Sequence, residues 1–143
     1  MTNIVQVVTE AQLPNQIVVT LARGPGVQQF LHQVQVFTVP GTISVGVGSA
    51  RFYIPGAITL SNIRASVGTA PTGSSIIIDV NKNGTSVFTT NLKPTIYAGQ
   101  TVVSTSTPNT TSLTTGDYIS VDVDQVGSLN PGQNLTVQIE FTP

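Results

Sequence analysis

Apolar and polar residues alternate with a period of two along much of the chain, in short runs broken by Gly, Pro and Asn. That period places one face of a strand in a core and the other in water. The most regular run is Tyr118–Asp124, with Ile119, Val121 and Val123 on one face and Tyr118, Ser120, Asp122 and Asp124 on the other. Leu135–Phe141 repeats the pattern. Ile43, Val45 and Val47 alternate with Ser44, Gly46 and Gly48, which predicts a half-buried strand. Phe52 and Ile54 then share one face, with Arg51 and Tyr53 on the other, until Pro55-Gly56.

Ile76–Val80 and Thr85–Phe88 flank Asn81-Lys82-Asn83-Gly84, whose Asn and Gly tolerate positive φ, so this stretch predicts a hairpin. Weaker signals fill the rest. Ile17–Leu21 is a strand closed by Arg23-Gly-Pro-Gly26, and Pro94–Gly99 is a short extended piece ending in a turn. Thr101–Thr107 is a further strand. Val27–Val39 carries both helical and alternating spacing, and its β-branched residues, with Pro40-Gly41 at the end, favour strand. Strands about every ten residues with turn residues between them predict an all-β fold, an antiparallel, jelly-roll-like β-sandwich. Residues 1–16, where Ile4, Val5, Val7 and Val8 alternate weakly up to Pro14-Asn15, form an N-terminal extended arm or edge strand. Residues 17–143 form one domain.

Composition narrows the picture. At 143 residues the chain is the size of one domain, able to bury roughly two-thirds of its unfolded surface. Only 8% of residues are charged against 39% hydrophobic, so Thr, Ser, Asn and Gln must cover the surface. A net charge of −1 without a basic run gives no electrostatic footprint for nucleic acid. Such a neutral surface suits a protein packed against others. With no cysteine, no disulfide or thiolate site can form, and stability rests on the core or on assembly. The first residues lack the charged start and long apolar segment of a secretory signal, and no run approaches a membrane span. Synthesis in the cytoplasm with no membrane partner is the expectation.

Candidate chemistry is thin. Asp79-Val-Asn-Lys-Asn-Gly84 matches the front half of a calcium loop, but Thr90 stands where the bidentate carboxylate belongs, so a hairpin turn explains these residues better. Asp122 and Asp124 share a strand face about 7 Å apart, a spacing that glycosidases use. Their alternation with Ile119, Val121 and Val123 instead indicates a solvated face. His32, the single histidine, rules out an imidazole cluster, and no Gly-x-Ser-x-Gly elbow occurs. No catalytic residue, metal or cofactor is expected. Tyr53, Tyr97 and Tyr118 are candidates to stack on sugar rings, or equally to serve an interface.

Arg51-Phe-Tyr-Ile-Pro-Gly, Arg64-Ala-Ser-Val-Gly-Thr-Ala-Pro-Thr-Gly, Ile78-Asp-Val-Asn-Lys-Asn-Gly and Gly116-Asp-Tyr-Ile-Ser-Val-Asp-Val-Asp-Gln-Val-Gly resemble a β-sandwich module of tailed-bacteriophage virion proteins. The resemblance covers about residues 50–143. It implies a jelly-roll-like domain, usually trimeric, that works by binding and not by catalysis, in tail-fibre, baseplate-associated or head-decorating proteins. The expectation is a capsid decoration (cement) protein on the virion surface, with the major capsid protein and further copies of itself as partners. Ile4, Val5, Val7 and Val8 of the arm, with Ile17, Val18 and Val19, are the expected contact residues, since an extended segment can add a strand to a neighbour's sheet edge. The alternative is a small fibre, spike or baseplate component that binds host surface polysaccharide through Tyr53, Tyr97 and Tyr118 and the loops Pro108–Thr115 and Asn91–Pro94.

Overall fold

The computed structural model describes residues 33–89, 93–103 and 106–143. Among the described residues nine strands pair antiparallel throughout into two facing sheets, an antiparallel, jelly-roll-like β-sandwich. They are β1 (Gln33–Thr42), β2 (Phe52–Tyr53), β3 (Ile58–Thr69), β4 (Ile76–Lys82), β5 (Thr85–Ser86), β6 (Thr95–Ile96), β7 (Ser112–Leu113), β8 (Tyr118–Gln125) and β9 (Gln133–Thr142). One sheet runs β1-β9-β3-β7. The other runs β2-β8-β4-β5, with β6 on the start of β4. The chain crosses repeatedly between the two, so each sheet is stitched from distant segments. The predicted arm and the Ile17–Leu21 strand lie outside the described residues.

Alternation does what the sequence pattern requires. Leu135, Val137, Ile139 and Phe141 of β9 are buried, and they face a layer made by Ile76, Ile78 and Val80 of β4 and Ile119, Val121 and Val123 of β8. In β3 the buried set begins at Leu60 and continues at Ile63, Ala65 and Val67, which is a change of parity. A register shift between Leu60 and Asn62 against β9 accounts for it, because one extra residue, Ser61, turns the rest of the strand over. The Ser61 hydroxyl donates to the Glu140 carbonyl at 2.9 Å.

The central hairpin forms as its residues predict. Asn83 and Gly84 sit at φ +52 and +82 between β4 and β5, the left-handed pair that a two-residue turn demands. Other expectations need correction. Val45 and Val47 are not half-buried strand residues but are 60% and 84% exposed. The segment 44–50 lies along the edge of β8, where Gly46 exchanges both backbone hydrogen bonds with Val123 (3.0 and 2.9 Å). Gly48 is pressed so closely on β8 that a Cβ there would collide with the Val121 carbonyl. The backbone of the segment meets the sheet at Gly46 and Gly48, and the Val45 and Val47 side chains stay largely exposed. Two residues of the predicted strand Thr101–Thr107, 104 and 105, lie outside the described residues. Among its described residues, 101–103 and 106 make single bridges and backbone bonds along the outer edge of β3, including Val103 N to Ala65 O at 2.9 Å and Ser106 N to Ile63 O at 3.1 Å.

Phe141 has no exposed surface, and its ring lies 5.9 Å from that of Phe52, tying the end of β9 to the edge strand of the opposite sheet. Replacing it leaves a void at one end of the sandwich. Phe141→Ala is expected to lower the unfolding free energy by about 3–5 kcal/mol, measured by urea titration. A loss below about 1 kcal/mol would show that this end collapses without cost.

Candidate binding surface

The contact between Phe141 and Phe52 defines one end of the sandwich. Gln33 pairs with Phe141, Phe52 with Ile119, and Tyr53 with Tyr118, so the start of β1, the end of β9 and the β2/β8 edge all meet there. The described chain therefore begins at this end. β1 itself carries no charged residue in Gln33–Thr42, and among the described residues it pairs only with β9. An uncharged edge strand is a template for further pairing unless something covers it.

On the outer face of the same end, three side chains stack. The Tyr53 and Tyr118 ring centroids are 5.7 Å apart with the planes tilted by 53°, and the Arg51 guanidinium lies 4.7 Å from the centre of the Tyr118 ring. Tyr53 is 58% exposed. A guanidinium at this distance from a ring face gains about 0.5–1 kcal/mol at an exposed site. Among the described residues Arg51 is the one cation without a carboxylate partner. Arg64 pairs with Glu140 (3.1 Å), Lys82 with Asp117 (3.0 Å), and Lys93 with both Asp79 and Asp124 (2.7 Å each).

The structure thus unites two of the three candidate tyrosines and separates the third. Tyr97 follows β6, which pairs with the start of β4, whereas Tyr118 lies beyond the end of β4. The length of β4 puts it roughly 20 Å away. Ile4, Val5, Val7, Val8, Ile17, Val18 and Val19 lie outside the described residues, as do His32, Thr90, Asn91 and Leu92.

The remaining carboxylates are held in fixed partnerships. Asp79 is buried and accepts from the Ser86 hydroxyl at 2.7 Å as well as pairing with Lys93. Hydrogen bonding to Asp124 and then to Asp79 raises the Lys93 pKa above its ordinary value. Asp122 accepts from the Gly48 backbone N–H (2.9 Å) and Asn81 Nδ2 (2.7 Å). The segment 44–50 therefore leaves Asp122 half-buried, while Asp124 stays on the exposed side. In the calcium-loop match, Asp79, Asn81 and Asn83 each turn to a different partner: Lys93, Asp122 and Asp117. A cleft of about 300 Å³ opens between β1, β9 and the segment 44–50. It is lined by Phe37, Val39, Val47, Leu135 and Val137 among others, with no titratable side chain.

Beside Tyr118, Asp117 anchors the hairpin tip. It accepts from Thr114 N (2.8 Å), from Asn83 Nδ2 (2.7 Å) and from Lys82 Nζ. The backbone bond from Thr114 is the largest influence, and with Asn83 and Lys82 it holds this carboxyl well below the usual range. Depression in the folded state means the stabilisation is fully present above the unfolded carboxylate pKa of about 3.9. It is lost as pH falls from there through the folded value. Asp117→Asn is accordingly expected to be less stable at pH 7 and to lose less on acidification below about pH 4 than the parent. Thermal melts across pH 2–7 check this; parallel curves would contradict it.

No protein-family model matches the chain, and no curated protein matches it. Among solved structures it is similar to a chain of the cyanophage Pam1 capsid asymmetric unit, with a TM-score of 0.52 and 14% identity. The match covers 94% of this chain and 96% of that one, so the likeness is one of fold over nearly the whole of both.

Proposed function

We propose that this chain is a structural protein of a bacteriophage virion, and within that class a decoration protein that binds and stabilises the capsid shell. The observation that carries the reading is the fold likeness to a capsid-assembly chain, which extends over 94% of this chain and 96% of that one. Three features support it. The surface is almost uncharged, β1 is uncharged and among the described residues an edge strand, and the 300 Å³ cleft brings together apolar side chains and hydroxyls with no acid or base to turn over a substrate. The protein acts by binding. Its partners are the major capsid protein and further copies of itself, as a trimer that closes its sheet edges by symmetry. Residues 1–16 supply the reach: as an extended arm they can add a strand to a neighbour's sheet edge.

The adjacent Tyr53 and Tyr118 favour one second reading, a tail component that stacks host polysaccharide on these rings. Co-sedimentation of the purified protein with shells that lack it, beside adsorption to host cells, separates the two. Saturable binding to shells, with a rise in their heat resistance, is the expected result. Binding to cells but not to shells would contradict it. Removal of residues 1–16 is expected to abolish shell binding while the sandwich melts as before, and full retention of binding would remove the arm from the contact.

A further inference from the structure

The reading above leaves open which part of the sandwich meets the shell. We infer that Arg51, Tyr53 and Tyr118 form the centre of that contact and receive an acidic side chain of the shell subunit; this rests on the decoration reading. Position is the first reason. The described chain begins at Gln33, which pairs with Phe141, and the Phe141 ring lies 5.9 Å from that of Phe52, the residue between Arg51 and Tyr53. This end, where the described chain begins, and not the Tyr97 end, is therefore the one proposed to face the shell.

Charge is the second reason. Among the described residues the other cations are each neutralised by a carboxylate within 3.1 Å, whereas Arg51 has no carboxylate partner and meets Tyr53, by a side-chain hydrogen bond, and the Tyr118 ring. The Tyr118 ring and the hydrogen bond to Tyr53 restrain the long side chain, and with five N–H donors the guanidinium still has donors for a carboxylate, which it matches in bidentate geometry. Third, the residue types are those that dominate interface energetics. Arg and Tyr anchor contacts because they combine large apolar area with hydrogen bonding. Tyr53, more than half exposed, adds the apolar rim that excludes water from an Arg51–carboxylate pair.

The test uses the full chain and shells that lack it, with matched charge changes. Arg51→Gln and Arg64→Gln each remove one positive charge, but Arg64 lies on β3, in the other sheet, paired with Glu140. Arg51→Gln is expected to weaken shell binding about thirty-fold, the scale of an interface hot spot. Arg64→Gln should stay within about two-fold of the parent, as expected of a residue outside the contact. Tyr53→Ala, at an exposed edge position, should weaken binding with an unchanged melting temperature. Binding by the parent should fall as salt rises, and less steeply after Arg51→Gln. If the parent binds shells and Arg51→Gln binds as well as the parent, the inference is overturned and the decoration reading stands. Equal losses from Arg51→Gln and Arg64→Gln would show a diffuse charge effect and overturn it too. If the parent itself fails to bind shells, the decoration reading falls and takes this inference with it.

Discussion

Everything in this molecule depends on one apolar layer shared by two sheets. With no cysteine and few ion pairs, the inward rows of β9, β3, β4 and β8 are what hold distant segments together. β9 sits between β1 and β3, and β8 sits between β2 and β4, so the last third of the chain supplies a central strand to each sheet. Phe141 and Phe52 lock the two layers at one end. That lock also sets the surface above it: fixing Phe52 against the core points its neighbours Arg51 and Tyr53 outward, over Tyr118.

Local pattern reveals most of this fold, and non-local geometry explains where it falls short. β8, β9 and the Asn83-Gly84 hairpin follow directly from alternation and turn chemistry, because each is decided within a few residues. Val45 and Val47 alternate just as well, yet they face outward. What decides there is the backbone of Gly46 and Gly48 lying against β8, a contact between segments far apart in sequence. The parity change in β3 is equally invisible locally, since a bulge at Ser61 depends on its register with Glu140.

The candidate surface shows the same division. Alternation alone places Arg51 and Tyr53 on one face of an edge strand, and Tyr118 on the outer face of β8. Their union needs the pairing of β2 with β8, which no local signal announces. Arg51 gains meaning only after every other described cation has found its carboxylate. Tyr97 carries the same residue type as Tyr53 and Tyr118, but β4 separates it from them by its full length. Polar residues that suggest ion or sugar chemistry in sequence, such as Asp79, Asn81 and Asp122, instead tie the outer face of one sheet to the segments that cross it.

Little charge, an uncharged strand β1 and, among the described residues, one cation without a carboxylate partner set beside an aromatic pair are the features on which the proposed contact rests. The most direct test of that contact is a cryo-electron microscopy reconstruction of the virion that carries this protein. The account predicts β-sandwich density on the outer capsid surface, with the Gln33–Phe141–Tyr118 end turned toward the shell. Density in the tail alone, or a sandwich on the shell with its Tyr97 end inward, would contradict it.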